Sequence, residues 1–243
     1  MDGDLTKLIY GAIGGGLVTL IWNTIDRYWV GIRFTESIEA KKKLRFYAKP
    51  LWLECHYLQE RLDHIIKRVQ ESNAGTKAAL TITPKDASSV EWFTKDGHYV
   101  TSTAYMVAAV CCWIRLFQRD VVFLNFGKSA TANFFNLIEQ FKHSLGDRPS
   151  ILWYYYLNGI GDYLTQDGKN MPMSVAEFSR RLFEDKLFEG YYDQLFQFLN
   201  QIGSGEHLAV LQRTTRTLHE IKIFLEGNGA VPQILIHCDL RSV

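Results

Sequence analysis

Apolar and polar positions follow a helical period along most of this chain, and one stretch departs from it. From Leu8 to Ile25 the chain reads LIYGAIGGGLVTLIWNTI, eighteen residues without Asp, Glu, Lys or Arg. As an α-helix this stretch is roughly 27 Å long at about 1.5 Å per residue, close to the roughly 30 Å of a bilayer's hydrocarbon core. Tyr10, Trp22, Tyr28 and Trp29 fall near its ends, where amphipathic rings favour the interface. The pattern predicts a single transmembrane helix. A signal peptide needs a basic leader and a small-residue cleavage site. Here Asp2 and Asp4 offset Lys7, and the run closes on Trp22-Asn-Thr-Ile-Asp-Arg-Tyr-Trp29. A buried water-soluble helix would lose about 1 kcal/mol at each of Gly14, Gly15 and Gly16, whereas membrane helices use glycine for close packing.

The flanks set an orientation. Lys7 alone precedes the span, while Arg27, Arg33, Lys41, Lys42, Lys43 and Arg45 follow it. The positive-inside rule places the N-terminus outside and the large C-terminal part in the cytoplasm, at the inner (cell) membrane. Within the span, Gly11, Gly15, Thr19 and Asn23 recur at i+4 and share one face. Gly11 and Gly15 form a GxxxG pair, and Thr19 or Asn23 can hydrogen-bond across a helix contact. This stripe reads as an association seam of a homo-oligomer or as a pore lining, since Asn23 facing lipid would need a polar partner or water.

Beyond the anchor, taken as residues 1–30, residues 31–243 read as a cytosolic helical domain. Leu51, Leu58, Leu62, Ile65, Ile66 and Val69 repeat with helical spacing in one long helix from Thr35 to about Ser72, with Pro50 a point of kinking. That helix is the natural coupler between span and domain. Residues 73–97, rich in Gly, Pro, Asp and Ser, read as a loop. His98 to about Phe126 forms the second main helix. Its apolar run Ala104–Ile114 is too short to span a bilayer and is bounded by Arg115, Arg119 and Asp120, so it is expected to be the buried centre of the domain around Trp113. Further helices follow at Thr131–Leu145, from the Ser150 cap through Leu164, from the Ser174 cap with Glu177 as capping box, at Gly190–Gln201, and from Ser204 or Gly205 to Gly227. Tyr154, Tyr155 and Tyr156 read mostly as core. After Pro232 the segment ILIHCDL reads as a strand or as an arm onto a neighbouring subunit. The fold class is therefore all-α: a single N-terminal transmembrane helix followed by a cytosolic helical bundle.

Composition narrows the function classes. Hydrophobic residues make up 47% of the chain, which argues against extensive disorder. A net charge of +1 exerts no global pull on nucleic acid, so an anionic ligand needs a local basic patch. Two such patches stand out. Arg115 and Arg119 lie one turn apart and suit a phosphate, although a salt bridge with nearby Asp120 is the plainer expectation. Arg213, Arg216 and Lys222 form a second strip. Either could take a nucleotide or nucleic-acid ligand, or a partner protein. Cys55, Cys111, Cys112 and Cys238 include no CxxC pair and read as small buried hydrophobes in a reducing compartment. His56, Glu60 and His64 at i, i+4 and i+8 have a spacing that can bind metal, against which stands a solvated helix face. No HExxH, GxSxG, Walker loop or kinase signature is present, and Gly159 and Gly161 have no strand before them. The chain reads as a non-enzyme with no cofactor or metal.

Three segments, RFYAKPLWLECHYLQERL from Arg45, STAYMVAAVCCWIRLFQRDVVFL from Ser102 and YYYLNGIGDYL from Tyr154, resemble a family of uncharacterised bacterial helical proteins with an N-terminal membrane anchor. Such proteins are similar in architecture to membrane effectors of anti-phage defence, in which a cytosolic sensor gates a membrane helix. The resemblance covers roughly half the chain, carries no catalytic motif, and shows no nucleotide-sensing module. It implies a homo-oligomeric membrane effector whose short helices form a pore. The alternative is a non-conducting tethered scaffold or regulator that binds a protein partner.

Overall fold

Burial on every side marks the helix around which the domain packs. Helix α3, His98–Val121, contains Ala104 and an unbroken buried run from Val107 to Ile114, as the apolar run in its sequence predicts. The stretch His98–Arg119 is long and apolar enough to cross a membrane, yet 83% of its most apolar window is buried among other helices. In a membrane that surface would face lipid; here it is the core.

This computed structural model describes residues 42, 44–121, 128–146, 152–166 and 169–231. The expected span with Gly11, Gly15, Thr19 and Asn23, and the tail after Pro232 with Cys238, lie outside the described residues. The chain divides into two compact units, Met1–Lys43 and Leu44–Val243, and the description that follows concerns the second. Among the described residues every regular element is helical, with one isolated bridge between Thr165 and Pro172.

Helix α1 occupies residues 44–70 and runs through Pro50 without interruption. Its six periodic apolar residues, from Leu51 to Val69, are all buried. It closes in a Schellman turn: Asn73 N–H donates to the Arg68 carbonyl at 2.9 Å, with Ser72 left-handed at φ 56°. The following helices are α2 (Ala74–Thr81), α4 (Lys128–Gly146), α5 (Tyr154–Leu164), α6 (Val175–Glu184), α7 (Lys186–Gly203) and α8 (Leu208–Gly227).

Residues 73–97 are not the open loop their composition predicts. Asn73 Oδ1 accepts from Thr76 N–H at 2.9 Å and starts α2, and two 3-10 turns follow at Pro84–Asp86 and Val90–Thr94. The segment is held from outside itself. Gly203 on α7 lets α2 approach so closely that a Cβ there would sit 3.0 Å from Leu80 Cβ. Asn200 Nδ2 donates to the Thr81 carbonyl at 2.9 Å. Leu80 is thereby buried, and Phe93 is buried with its ring edge-on to Phe183 of α6.

Two helices start at residues other than the expected ones. Helix α7 begins at Lys186 and not at Gly190, because the Asp185 carboxylate accepts from Leu187 and Phe188 N–H. Helix α5 begins at Tyr154 with Trp153 extended before it. Ser174 caps α6 through Glu177 N–H, while the Glu177 carboxylate bonds Arg180 and Arg181. The three consecutive tyrosines are not core: Tyr155 is 83% exposed, and Tyr154 and Tyr156 are half-buried. Successive helical residues point about 100° apart, and on α5 the inward face belongs to Leu157, Ile160, Gly161 and Leu164.

Helix α4 packs on α8 through a buried Ser144–Thr214 hydroxyl pair at 3.0 Å. An aromatic series runs from Phe117 on α3 to Phe134 on α4 (ring centres 4.6 Å) and on to Phe224 on α8 (5.2 Å). Three layers of helix are thus tied by ring contacts, whose offset and edge geometries add to simple burial.

Candidate functional site

The two arginine pairs singled out in the sequence occupy different clefts. Arg115 meets α5: its Nε and Nη2 donate to the two carboxylate oxygens of Asp162, each at 3.1 Å; the side chain of Asp120 lies outside the described residues. This fork geometry uses both faces of the pairing. Arg119 Nη2 donates to Asn170 Oδ1 at 2.7 Å. The two arginines, with Leu116, Gln118, Asp162 and Thr165, line a cleft of about 230 Å³. Asp162 thus meets the charge of Arg115 within this cleft. Arg213 and Arg216 lie exposed on α8 beside a shallow groove of about 530 Å³ near His207. Lys222, read as part of the same strip, faces α1 instead. Its Nζ donates to His56 Nδ1 at 3.1 Å and Gln59 Oε1 at 3.3 Å.

That contact reassigns the His56, Glu60 and His64 series. His56 Nε2 lies 3.4 Å from Glu60 Oε1, while its ring stacks on Trp52 at 5.4 Å. His64 turns toward Tyr99. Among the described residues no three His, Cys, Asp or Glu side chains converge on a point that could hold a metal ion.

The thiols are set for packing. Cys55, Cys111 and Cys112 are buried and free. Burial pushes Cys111 up to about 12 and Cys112 up to about 11, and it raises Cys55 as well. Thiols held protonated are poor nucleophiles.

A third basic cluster has no counterpart in the sequence reading. Arg61 on α1 reaches the first turn of α3, where its Nη1 donates to the Tyr99 carbonyl at 3.3 Å and to Ser102 Oγ and Thr103 Oγ1, each at 3.2 Å. Its guanidinium carbon lies 4.5 Å from the centre of the Tyr99 ring. The Tyr99 hydroxyl is buried without a hydrogen-bond partner. Arg61, His64 and Arg68 share one face of α1 at i, i+3 and i+7. That spacing was legible; the approach of Tyr99, 38 residues from Arg61, was not.

No family model matches the chain, and neither a curated protein nor a solved structure does.

Proposed function

We propose that the chain is a homo-oligomeric single-pass membrane effector and not an enzyme. Its N-terminal helices associate through Gly11, Gly15, Thr19 and Asn23 to form a pore, controlled by the cytosolic helical domain, with anti-phage defence as the role its architecture resembles. The observation that carries this reading is the uncharged run Leu8–Ile25, long enough to cross a bilayer as a helix. His98–Arg119, by contrast, is buried as core. The distribution of Lys and Arg around that segment supports a cytoplasmic domain. Fractionation tests the anchor. Full-length protein should remain in the membrane pellet after alkaline extraction, and protein lacking residues 1–30 should be soluble and helical. Full-length protein that fractionates as soluble without detergent overturns it.

One observation favours the tethered-scaffold alternative. Trp153 and Tyr155, 69% and 83% exposed, put two large rings on the surface at the start of α5, where a partner protein would find an aromatic anchor.

A further inference from the structure

We propose that the junction of α1 and α3 is a binding site for a phosphate-bearing ligand, held by Arg61, Arg68 and Tyr99. The first ground is uncompensated charge. Arg61 is half-buried, and among the described residues it donates only to neutral oxygens through Nη1. Its Nε and Nη2 carry further N–H donors that these bonds leave unused. A guanidinium drawn into a protein surface ordinarily meets a carboxylate, as Arg115 does at Asp162. Burial lowers the Arg61 pKa, and the neighbouring Tyr99 phenol opposes that effect.

The second ground is an orphan hydroxyl. The Tyr99 Oη is buried and unpartnered, and a buried polar atom without a partner calls for a ligand, ion or water. Burial pushes the Tyr99 phenol up, and the positive charges of Arg61 and Arg68 pull it back, so the hydroxyl sits in the field of both arginines. Arg68 is exposed and makes no ion pair among the described residues. Two guanidinium groups on one face of α1, with the Tyr99 phenol beside Arg61, then offer several donors, which suits the multiple oxygens of a phosphate better than a single carboxylate. A purely structural role, Arg61 clipping α1 to the first turn of α3, accounts for the Nη1 bonds. It accounts neither for the unused donors nor for the Tyr99 hydroxyl.

The site is independent of how the chain meets a bilayer, and binding to the purified full-length protein tests it. Titration calorimetry with inorganic phosphate, and separately with a nucleoside 5′-monophosphate, should show saturable binding. Tighter binding of the nucleotide identifies a nucleotide as the source of the phosphate; equal binding identifies free phosphate. Arg68→Gln and Tyr99→Phe should each weaken binding about tenfold, the effect of one charge-assisted hydrogen bond. Without ligand, Tyr99→Phe should melt no lower than wild type, because it removes an unpartnered hydroxyl, and Arg68→Gln should melt unchanged. The proposal is overturned if neither probe binds saturably, or if both variants bind as wild type does.

Discussion

Gly161 on α5 lies directly against the backbone of Cys111 on α3: a Cβ at 161 would come within 2.6 Å of the Cys111 carbonyl oxygen and 2.9 Å of Arg115 Cγ. Backbone meets backbone at this crossing, and the closeness also brings Asp162 under the Arg115 guanidinium. Overpacking a tight contact costs about 1–3 kcal/mol. Gly161→Ala should therefore lower stability by that order in a denaturant melt, and Gly161→Val by more. Gly190, whose added Cβ would meet nothing within 4 Å, is the control: Gly190→Ala should be neutral or stabilising.

The ring series through Phe134 predicts a larger loss. Phe134 is fully buried between Phe117 and Phe224. Truncating a buried phenylalanine to alanine costs about 3–5 kcal/mol. Phe134→Ala should lower the denaturation midpoint accordingly and loosen α4 from α8, seen as faster amide exchange in those two helices.

Ser72 should behave in the opposite sense. It holds a left-handed φ of 56° at the end of α1, a conformation that costs a residue with a Cβ roughly 1 kcal/mol. Ser72→Gly should raise stability by about 0.5–1 kcal/mol, measured as a higher midpoint at unchanged slope.

Alkaline pH should unfold the domain through groups that the fold keeps protonated. Burial lifts Cys112 from 9.0 to about 11 and Cys111 from 9.0 to about 12. The hydrogen bond that Tyr154 Oη donates to Glu139 lifts Tyr154 from 10.0 to about 12, with burial adding to it. Tyr105 and Tyr191 reach about 12 by burial. Each group binds its proton more tightly folded than unfolded, so its contribution is complete below its ordinary value and is lost as pH rises through the raised one. The melting temperature should fall progressively between about pH 9 and pH 12. A melting temperature that stays level across this interval would contradict the burial of these groups.

How far the chain could be read in advance depended on whether a feature was local. The all-helical domain, the long first helix and the central α3 follow from spacing within single segments, and the burial of Cys55, Cys111 and Cys112 follows from their apolar surroundings. Helix α2 did not, because Ala74–Thr81 is short and contains Gly75 and two threonines, and it depends on Gly203, far along the chain, for its packing. The start of α7 is legible in principle at Asp185, a good capping residue that lies ahead of the glycine at 190. The partners of the basic residues were the least accessible. Arg115 finds Asp162 47 residues on, Lys222 finds His56 166 residues back, and nothing in the local pattern around Arg61 pointed to Tyr99.

Dye release from liposomes holding the full-length protein tests the proposed function most directly. Wild type should release trapped dye. Gly15→Leu should abolish release by placing a bulky side chain where helix backbones must approach, and Asn23→Leu should abolish it by removing the polar group that needs a partner or water. Both variants should keep the circular dichroism of the helical domain. Wild type that retains dye, with or without added phosphate, or Gly15→Leu that releases it as fast as wild type, would contradict the pore and leave the chain a tether for its domain.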